Sequence, residues 1–201
     1  MPVQFTNRLK QTYYLLENKS KKGKTIYNIS SKLKGKGKPV EQMPEEYEIY
    51  ENPKNAHVFC RKKLPQLITN EEKQLVEQYV KKLKGPYWYL TYCELEYITI
   101  YESAFNVEEY KELLLELTDP SLDYNERLER VNNHMTINYY DPVIRFQLND
   151  PEKRLFTVER KDKEDISGWT ILAGPGNLKK SANKYIKITQ GIDLFEEVLQ
   201  L

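Results

Sequence analysis

Residues 43–63, MPEEYEIYENPKNAHVFCRKK, limit the possible folds because they encode an antiparallel hairpin. Tyr47 and Ile49 share one side of a strand, since side chains alternate across a pleat, and we expect that side to face a core. Residues 52–55, Asn-Pro-Lys-Asn, form turns readily. Residues 58–60 then supply the β-branched and aromatic character of a second strand.

Two further segments before this hairpin have the composition of strands, at residues 11–16 and 25–29. They are joined by a polar turn around Gly23. Residues 30–39 contain two glycines and four lysines without periodicity, which predicts a loop. We expect residues 11–63 to form one small antiparallel sheet.

Helical periodicity begins after residue 64. Thr69 and Glu72 have the spacing of a capping box, an apolar stripe follows, and Gly85-Pro86 ends this first helix. A second helix begins after Asn106 and places Leu113 inward. The remaining predicted helices are 124–134, 178–188 and 192–201, and a strand is the alternative for the last of these. The predicted strands between the helices are 87–93, 97–101, 137–140, 143–148, 154–159 and 168–173, and residues 174–177 (GPGN) are predicted to be a turn.

Grouped strands and helices favour the α+β class over strict β-α alternation. We predict N-terminal antiparallel β-hairpins followed by a mixed helix and antiparallel-sheet region. The corresponding parts are a basic β-rich module at residues 1–66 and a mixed α/β region at residues 67–201, packed against the first.

The net charge of +1 conceals an asymmetry, because residues 1–40 alone carry +9. Lysines neutralise phosphates and exposed tyrosines stack on bases, so this segment gives nucleic-acid binding as an alternative function. Arg8 is its only arginine, and a solvated lysine-rich loop explains the same composition. The candidate residues are Tyr13, Tyr14, Lys21, Lys22, Lys24, Tyr27, Lys34, Lys36 and Lys38.

An acid-x-lysine triplet ends the predicted strand at residues 154–159. Glu159 and Lys161, with Asp141 or Asp150 upstream, have the residue types of a metal-dependent phosphodiesterase or nuclease, in which acids hold a divalent cation and a lysine orients water. Both aspartates adjoin prolines, where Asp is common for local reasons. This is the second alternative function.

Several other classes of site lack the residues they need. Cys60 and Cys93 lie on predicted strands without metal-ligand spacing, and the two histidines are isolated, so we expect no metal site and no cofactor. No run of 18 apolar residues occurs and the first residues do not resemble a signal peptide. We therefore expect a cytoplasmic protein with reduced thiols and no membrane partner.

The chain resembles a group of uncharacterised bacterial proteins. The resemblance rests on YYLLE at residues 13–17, the turn around Gly23, MPEEYEIYENP at residues 43–53 and RLFTVER at residues 154–160. It also includes Arg145-Phe146, Trp169 and Gly174-Pro175. The resemblance implies a shared architecture and assigns no catalytic residue.

We expect a non-enzymatic binding or protein-interaction module that uses an aromatic sheet face or the groove between the two parts. In the strand at residues 87–93, Trp88, Leu90 and Tyr92 lie on one face, opposite Tyr87 and Tyr89. The expected partner is a protein, a small ligand or a second copy of the chain.

Overall fold

The computed structural model describes residues 1–34, 36–85, 87–161 and 168–187. The strands are β1 (Gln4–Thr6), β2 (Thr12–Lys19), β3 (Thr25–Ser30), β4 (Lys38–Pro39), β5 (Tyr47–Glu51), β6 (Val58–Lys62), β7 (Tyr89–Glu94), β8 (Tyr97–Ser103), β9 (Tyr140–Asp150), β10 (Leu155–Lys161) and β11 (Trp169–Asn177). The helices are α1 (Asn70–Val80), α2 (Val107–Glu116), α3 (Tyr124–His134) and α4 (Leu178–Tyr185).

The fold is α+β with antiparallel sheets, so the predicted fold class is confirmed. The chain forms two compact units. The first is Met1–Leu64 with His134–Tyr139, and the second is Pro65–Asn133 with the described residues from Tyr140 onward. None of the described helices has the length and apolar content needed to cross a membrane. The predicted helix at 192–201, Pro86, Ile188 and residues 162–165 of the charged loop lie outside the described residues.

Strand β2 is the centre of the four-stranded sheet in the first unit. It pairs with β3 along one side and with β1 and β4 along the other. Leu15 and Leu16 are both buried, although they point to opposite faces of the strand. Residues 38–39 pair with β2 instead of remaining in a loop, so the prediction of a loop over 30–39 is wrong at this end.

The predicted hairpin at residues 43–63 is confirmed, because β5 pairs with β6 from Tyr47↔Lys62 to Glu51↔Val58. It forms a two-stranded sheet of its own, so the prediction of one sheet over residues 11–63 is wrong. Side-chain packing joins the hairpin to β3, and the rings of Tyr27 and Tyr47 meet edge to face with centroids 4.9 Å apart. Strand periodicity fixes the face of each side chain but does not say which edges pair.

Gly37 allows β4 to approach β2. It has φ +133, and a Cβ at this position would lie 2.8 Å from the carbonyl oxygen of Glu17 and from both terminal side-chain atoms of Asn18. We expect Gly37→Ala to lower the free energy of unfolding of the first unit by about 2 kcal/mol, from unfavourable φ and crowding together. Gly23 is the matched control, because it also has positive φ (+77) but open space around its Cβ position.

Urea unfolding followed by circular dichroism measures both alanine variants. We expect Gly23→Ala to cost about 1 kcal/mol, the conformational contribution alone. Equal costs for the two substitutions would contradict the close approach of β4.

The second unit contains a five-stranded antiparallel sheet whose strands lie side by side in chain order, from β7 to β11. Helices α1 and α4 pack together on one face of this sheet. The capping box of α1 is confirmed, with Glu72 N donating to Thr69 Oγ1 and Thr69 N donating to Glu72 Oε2. The helix ends at Val80, before the predicted stop at Gly85. The largest buried side chains of this core are Val76, Ile98, Ile100, Ile144, Phe146, Phe156, Val158 and Ile186.

Two prolines lie inside strands of this sheet. Pro142 pairs with Tyr101 beside a register shift in β9, so the strands predicted at 137–140 and 143–148 are replaced by one strand that begins at Tyr140. Pro175 lies in β11, so the predicted turn at 174–177 is wrong. Opposite β10, β11 contains an extra residue between Gly176 and Ala173. Such bulges accept a proline because their residues do not all donate to the ladder.

Helix α2 begins at the predicted cap, where the Asn106 side chain accepts hydrogen bonds from the amides of residues 108 and 109. Val107 is buried, but Leu113 is 50 % exposed, so its predicted inward position is wrong. Helix α3 has the predicted bounds and buries Val131.

Candidate functional site

The five-stranded sheet has a second face, opposite α1 and α4, that combines aromatic and charged side chains. We call it the arginine face and define it by Tyr97, Arg145, Gln147, Glu159, Trp169 and Ile171. Cross-strand pairing places Thr99, Arg145, Glu159 and Ile171 in one row across four strands. These side chains point to the same face because residues paired in register share a side of the sheet.

Arg145 is held between two aromatic rings. Its Cζ lies 4.2 Å from the ring centroid of Trp169 and 4.5 Å from that of Tyr97. Its Nε donates to Glu159 Oε2. The side chain of Arg145 is 23 % exposed and that of Glu159 is 11 % exposed, so the ion pair is mostly shielded. Stacking on both sides and a carboxylate at Nε leave the guanidinium little freedom.

Tyr97 is fixed by Gln147, whose Nε2 donates to the Tyr97 hydroxyl at 3.1 Å. Burial raises the pKa of Tyr97, while the neighbouring Arg145 charge opposes the rise. The phenol is therefore neutral and accepts the hydrogen bond from Gln147 at physiological pH. Two ring contacts of Arg145, one hydrogen bond and one ion pair thus connect side chains from four strands of the face in the free protein.

The chemistry offered by the arginine face is recognition. Within the part of the chain that the structure describes, no hydrogen bond reaches either Nη atom of Arg145. Ile171, in the same row, is 63 % exposed. The face therefore combines the Arg145 guanidinium, whose Nε is paired with Glu159, with aromatic rings and an exposed aliphatic side chain. This combination suits a carbonyl or carboxylate acceptor flanked by apolar groups.

The four residues predicted for metal-dependent hydrolysis do not converge. Glu159 pairs in register with Arg145, whereas Asp141 and Asp150 lie four and five residues from Arg145 along β9, in opposite directions. At about 3.3 Å per residue these offsets are about 13 and 17 Å, too far to share one cation.

Three of the four residues already have other partners, one of which is the pairing of Glu159 with Arg145. Lys161 Nζ donates to the carbonyl of Gly168 at 3.0 Å, and Asp150 Oδ1 accepts from the amide of Lys153 at 2.8 Å. Among the described residues, no group of three His, Cys, Asp or Glu side chains is placed to hold a metal ion.

The residues predicted for nucleic-acid binding separate into two sets. Tyr13 and Tyr14 point to opposite faces of β2, and Tyr27 packs against the β5–β6 hairpin, so the three rings do not form a stacking platform. The lysines of this set are exposed and lie in the β2–β3 turn, before β4 or in β4 itself: Lys21, Lys22, Lys24, Lys34, Lys36 and Lys38.

The Cys93 thiol does not provide a nucleophile. Its side chain packs against the core of the second unit, and burial raises the pKa of Cys93 to about 12, although Lys73 opposes the rise. A thiol with this pKa is protonated near neutral pH and unreactive. Burial also raises the pKa of Cys60.

Sequence reasoning singled out Glu159 but missed its partner Arg145 as a site residue. The predicted hairpin turn at residues 149–153 indicates that the two flanking strands pair, but counting outward from that turn pairs residue 145 with 157. In the structure a register shift between Leu155 and Phe156 contributes to pairing Arg145 with Glu159 instead. No local pattern in the sequence indicates that the rings of Tyr97 and Trp169 contact Arg145, since these residues lie on other strands, β8 and β11.

Comparison of the chain with models of protein families, with curated proteins and with solved structures gave no match, so the role assigned below rests on the geometry of these residues.

Proposed function

We propose that this protein is a non-enzymatic binding module whose arginine face binds a partner protein. The observation that carries the proposal is the guanidinium of Arg145, which is ordered between Tyr97 and Trp169 and is 23 % exposed, and whose Nη atoms have no hydrogen bond among the described residues. Arginine, tryptophan and tyrosine are the residues most enriched among those that dominate binding energy at interfaces.

Order in the free protein supports this role. Binding normally loses affinity to the entropy of fixing side chains, at about 0.5–1.5 kcal/mol for each long side chain. Glu159 and Gln147 already fix Arg145 and Tyr97, which reduces that cost. Ile171 adds an apolar contact at the edge of the sheet.

A displayed random-peptide library tests the proposal. Peptides are selected on the wild-type protein and their affinities are then measured on Trp169→Ala. We expect the selected peptides to lose about 10-fold or more in affinity, as removal of a central aromatic anchor does at interfaces. Trp88→Phe is the control, because Trp88 stacks with Lys84 outside the arginine face and its loss should leave affinity unchanged.

Failure to enrich any peptide on the wild-type protein would contradict the proposal. Peptides that bind Trp169→Ala as tightly as wild type would also contradict it. Analytical ultracentrifugation identifies the case in which the partner is a second copy. A wild-type dimer that dissociates on Ile171→Lys would assign the face to self-association.

A further inference from the structure

One end of the four-stranded sheet in the first unit is formed by lysines. We call it the lysine end and define it by Lys19, Lys21, Lys22, Lys24, Lys36 and Lys38, all of which are exposed. Residues 17–38 contain eight lysines and one acid, Glu17. None of the six lysines takes part in an ion pair within the described residues.

Backbone pairing brings these lysines together from two separate segments. Lys38 pairs with Glu17 in β2, and the side-chain amide of Asn18 donates to the carbonyl of Lys36 at 2.9 Å. The other segment is the turn after β2, closed by the amide of Gly23 donating to the carbonyl of Ser20 at 2.9 Å. The turn and β4 therefore flank the last residues of β2.

The spacing of the two lysine groups fits a duplex. Neighbouring strands lie about 4.8 Å apart, so the backbones of the turn and of β4 are less than about 10 Å apart. Flexible lysine stems extend this span outward to the phosphates on either side of a major groove about 12 Å wide. A concentration of unpaired positive charge also raises the local concentration of polyanions.

The residue types favour a duplex over a single strand. Tyr13, Tyr14 and Tyr27 lie on the faces of the sheet, and Tyr27 is covered by Tyr47, so no ring at the lysine end stacks on bases. The lysine end contains no arginine to read base edges through paired hydrogen bonds. Phosphate contacts alone position a protein without carrying sequence information.

A membrane surface fits less well. Insertion at a lipid interface uses the apolar face of an amphipathic helix, and the described part of residues 17–38 forms strands and turns. The exposed aliphatic side chains are single ones, Ile26 at 39 % and Leu33 at 40 % exposure.

We infer that the lysine end binds the phosphate backbone of double-stranded DNA without reading its sequence. The lysine end and the arginine face have no residue in common, and the inference does not depend on the function proposed for the arginine face.

Fluorescence anisotropy with a labelled DNA duplex of mixed sequence, titrated at several KCl concentrations, tests the inference. We expect the logarithm of the association constant to fall linearly with the logarithm of salt concentration, with a slope of about −4.5 to −5.4 for five or six phosphate contacts. A scrambled duplex should bind equally, and the corresponding single strand more weakly.

The triple variant Lys21→Glu, Lys22→Glu, Lys36→Glu should lose on the order of 100-fold in affinity and reduce the magnitude of the salt slope by about 3. A charge-matched control, Lys54→Glu, Lys62→Glu, Lys63→Glu, alters exposed lysines of the β5–β6 hairpin by the same total charge. We expect it to lose less than about 5-fold, through long-range attraction alone.

Four results would overturn the inference. The first is a control variant that loses as much affinity as the test variant, and the second is duplex binding that does not depend on salt. The third is binding to phosphatidylserine vesicles without binding to the duplex, and the fourth is tighter binding to the single strand than to the duplex.

Discussion

Arg8→Ala is expected to lower the free energy of unfolding of the first unit by about 3–4 kcal/mol. Arg8 Nη1 donates to Glu51 at 2.8 Å, its Nη2 donates to the carbonyl of Pro53 at 2.9 Å, and Nη2 also reaches the carbonyl of Asn138 at 3.2 Å. Both Arg8 and Glu51 have side chains only 18 % exposed. The substitution leaves Glu51 as a shielded charge without its partner, together with loop carbonyls that lose a charged donor.

Both tryptophans lie in the second unit, so tryptophan fluorescence does not report directly on the first unit. Hydrogen exchange measured by mass spectrometry locates the effect of the substitution instead. Peptides from β5, β6 and the loop between them should lose protection in Arg8→Ala. Arg8→Lys should lose about half as much stability, since one ammonium cannot reach acceptors arranged for a fork. Lys54→Ala, an exposed residue of the same loop, serves as control and should change stability by less than about 0.5 kcal/mol.

Unchanged protection in Arg8→Ala would show that the hairpin and residues 134–139 are held in the first unit by other contacts. Arg8 would then not be needed to hold these segments in place.

Glu159→Ala is expected to lower the free energy of unfolding of the second unit by about 2–3 kcal/mol. Glu159 is buried, and its removal leaves the Arg145 guanidinium without a carboxylate on a face that is only partly open to water. Losing one partner of a fully buried pair costs about 3–5 kcal/mol, and the 23 % exposure of Arg145 reduces the figure. Trp169 fluorescence in urea reports the transition directly, because Trp169 stacks on Arg145.

A double-mutant cycle separates the ion pair from simple loss of packing. Because Arg145→Ala with Glu159→Ala leaves no unpaired charge, the double variant should cost less than the sum of the single variants by about 1–2 kcal/mol. Glu159→Gln keeps an acceptor and should cost about half as much as Glu159→Ala. Strictly additive costs would contradict the coupling of Arg145 and Glu159.

The elements that the sequence predicted well are those whose causes lie within about ten residues. The capping box of Thr69 and Glu72 and the hairpin at residues 43–63 are examples, since capping, turn formation and alternation act over short distances. The predicted bounds of α3 also agree with the structure.

The wrong predictions share one physical cause. Each segment's structure depends on packing partners that are distant from it in the sequence. Pro142 and Pro175 indicate chain breaks when read alone, but a neighbouring strand accommodates both in bulges. Residues 38–39 follow a glycine- and lysine-rich segment typical of a loop. They nevertheless form a strand, because they pair with an edge of β2. Leu113 fits an apolar stripe by spacing but remains half exposed.

In the candidate site, too, the sequence indicated individual residues but not the partners they contact. Glu159 and Lys161 were chosen for their residue types, and tertiary structure gave each a different partner from the one expected. Four strands had to align before Tyr97, Arg145, Glu159 and Trp169 met, and their register depends on bulges that the sequence does not reveal.

Local periodicity, capping and turn chemistry were enough to predict the hairpin at residues 43–63, the start of α1 and the α+β class. Three arrangements could be seen only in the folded chain: this hairpin forms its own sheet, Glu72 of the capping box also pairs with Arg154, and Arg145 lies between two rings. Those arrangements join residues far apart in the chain, and they depend on which strand edges pair and in which register. Local sequence preferences allow several strand pairings and registers, and the packing of the whole unit selects one of them.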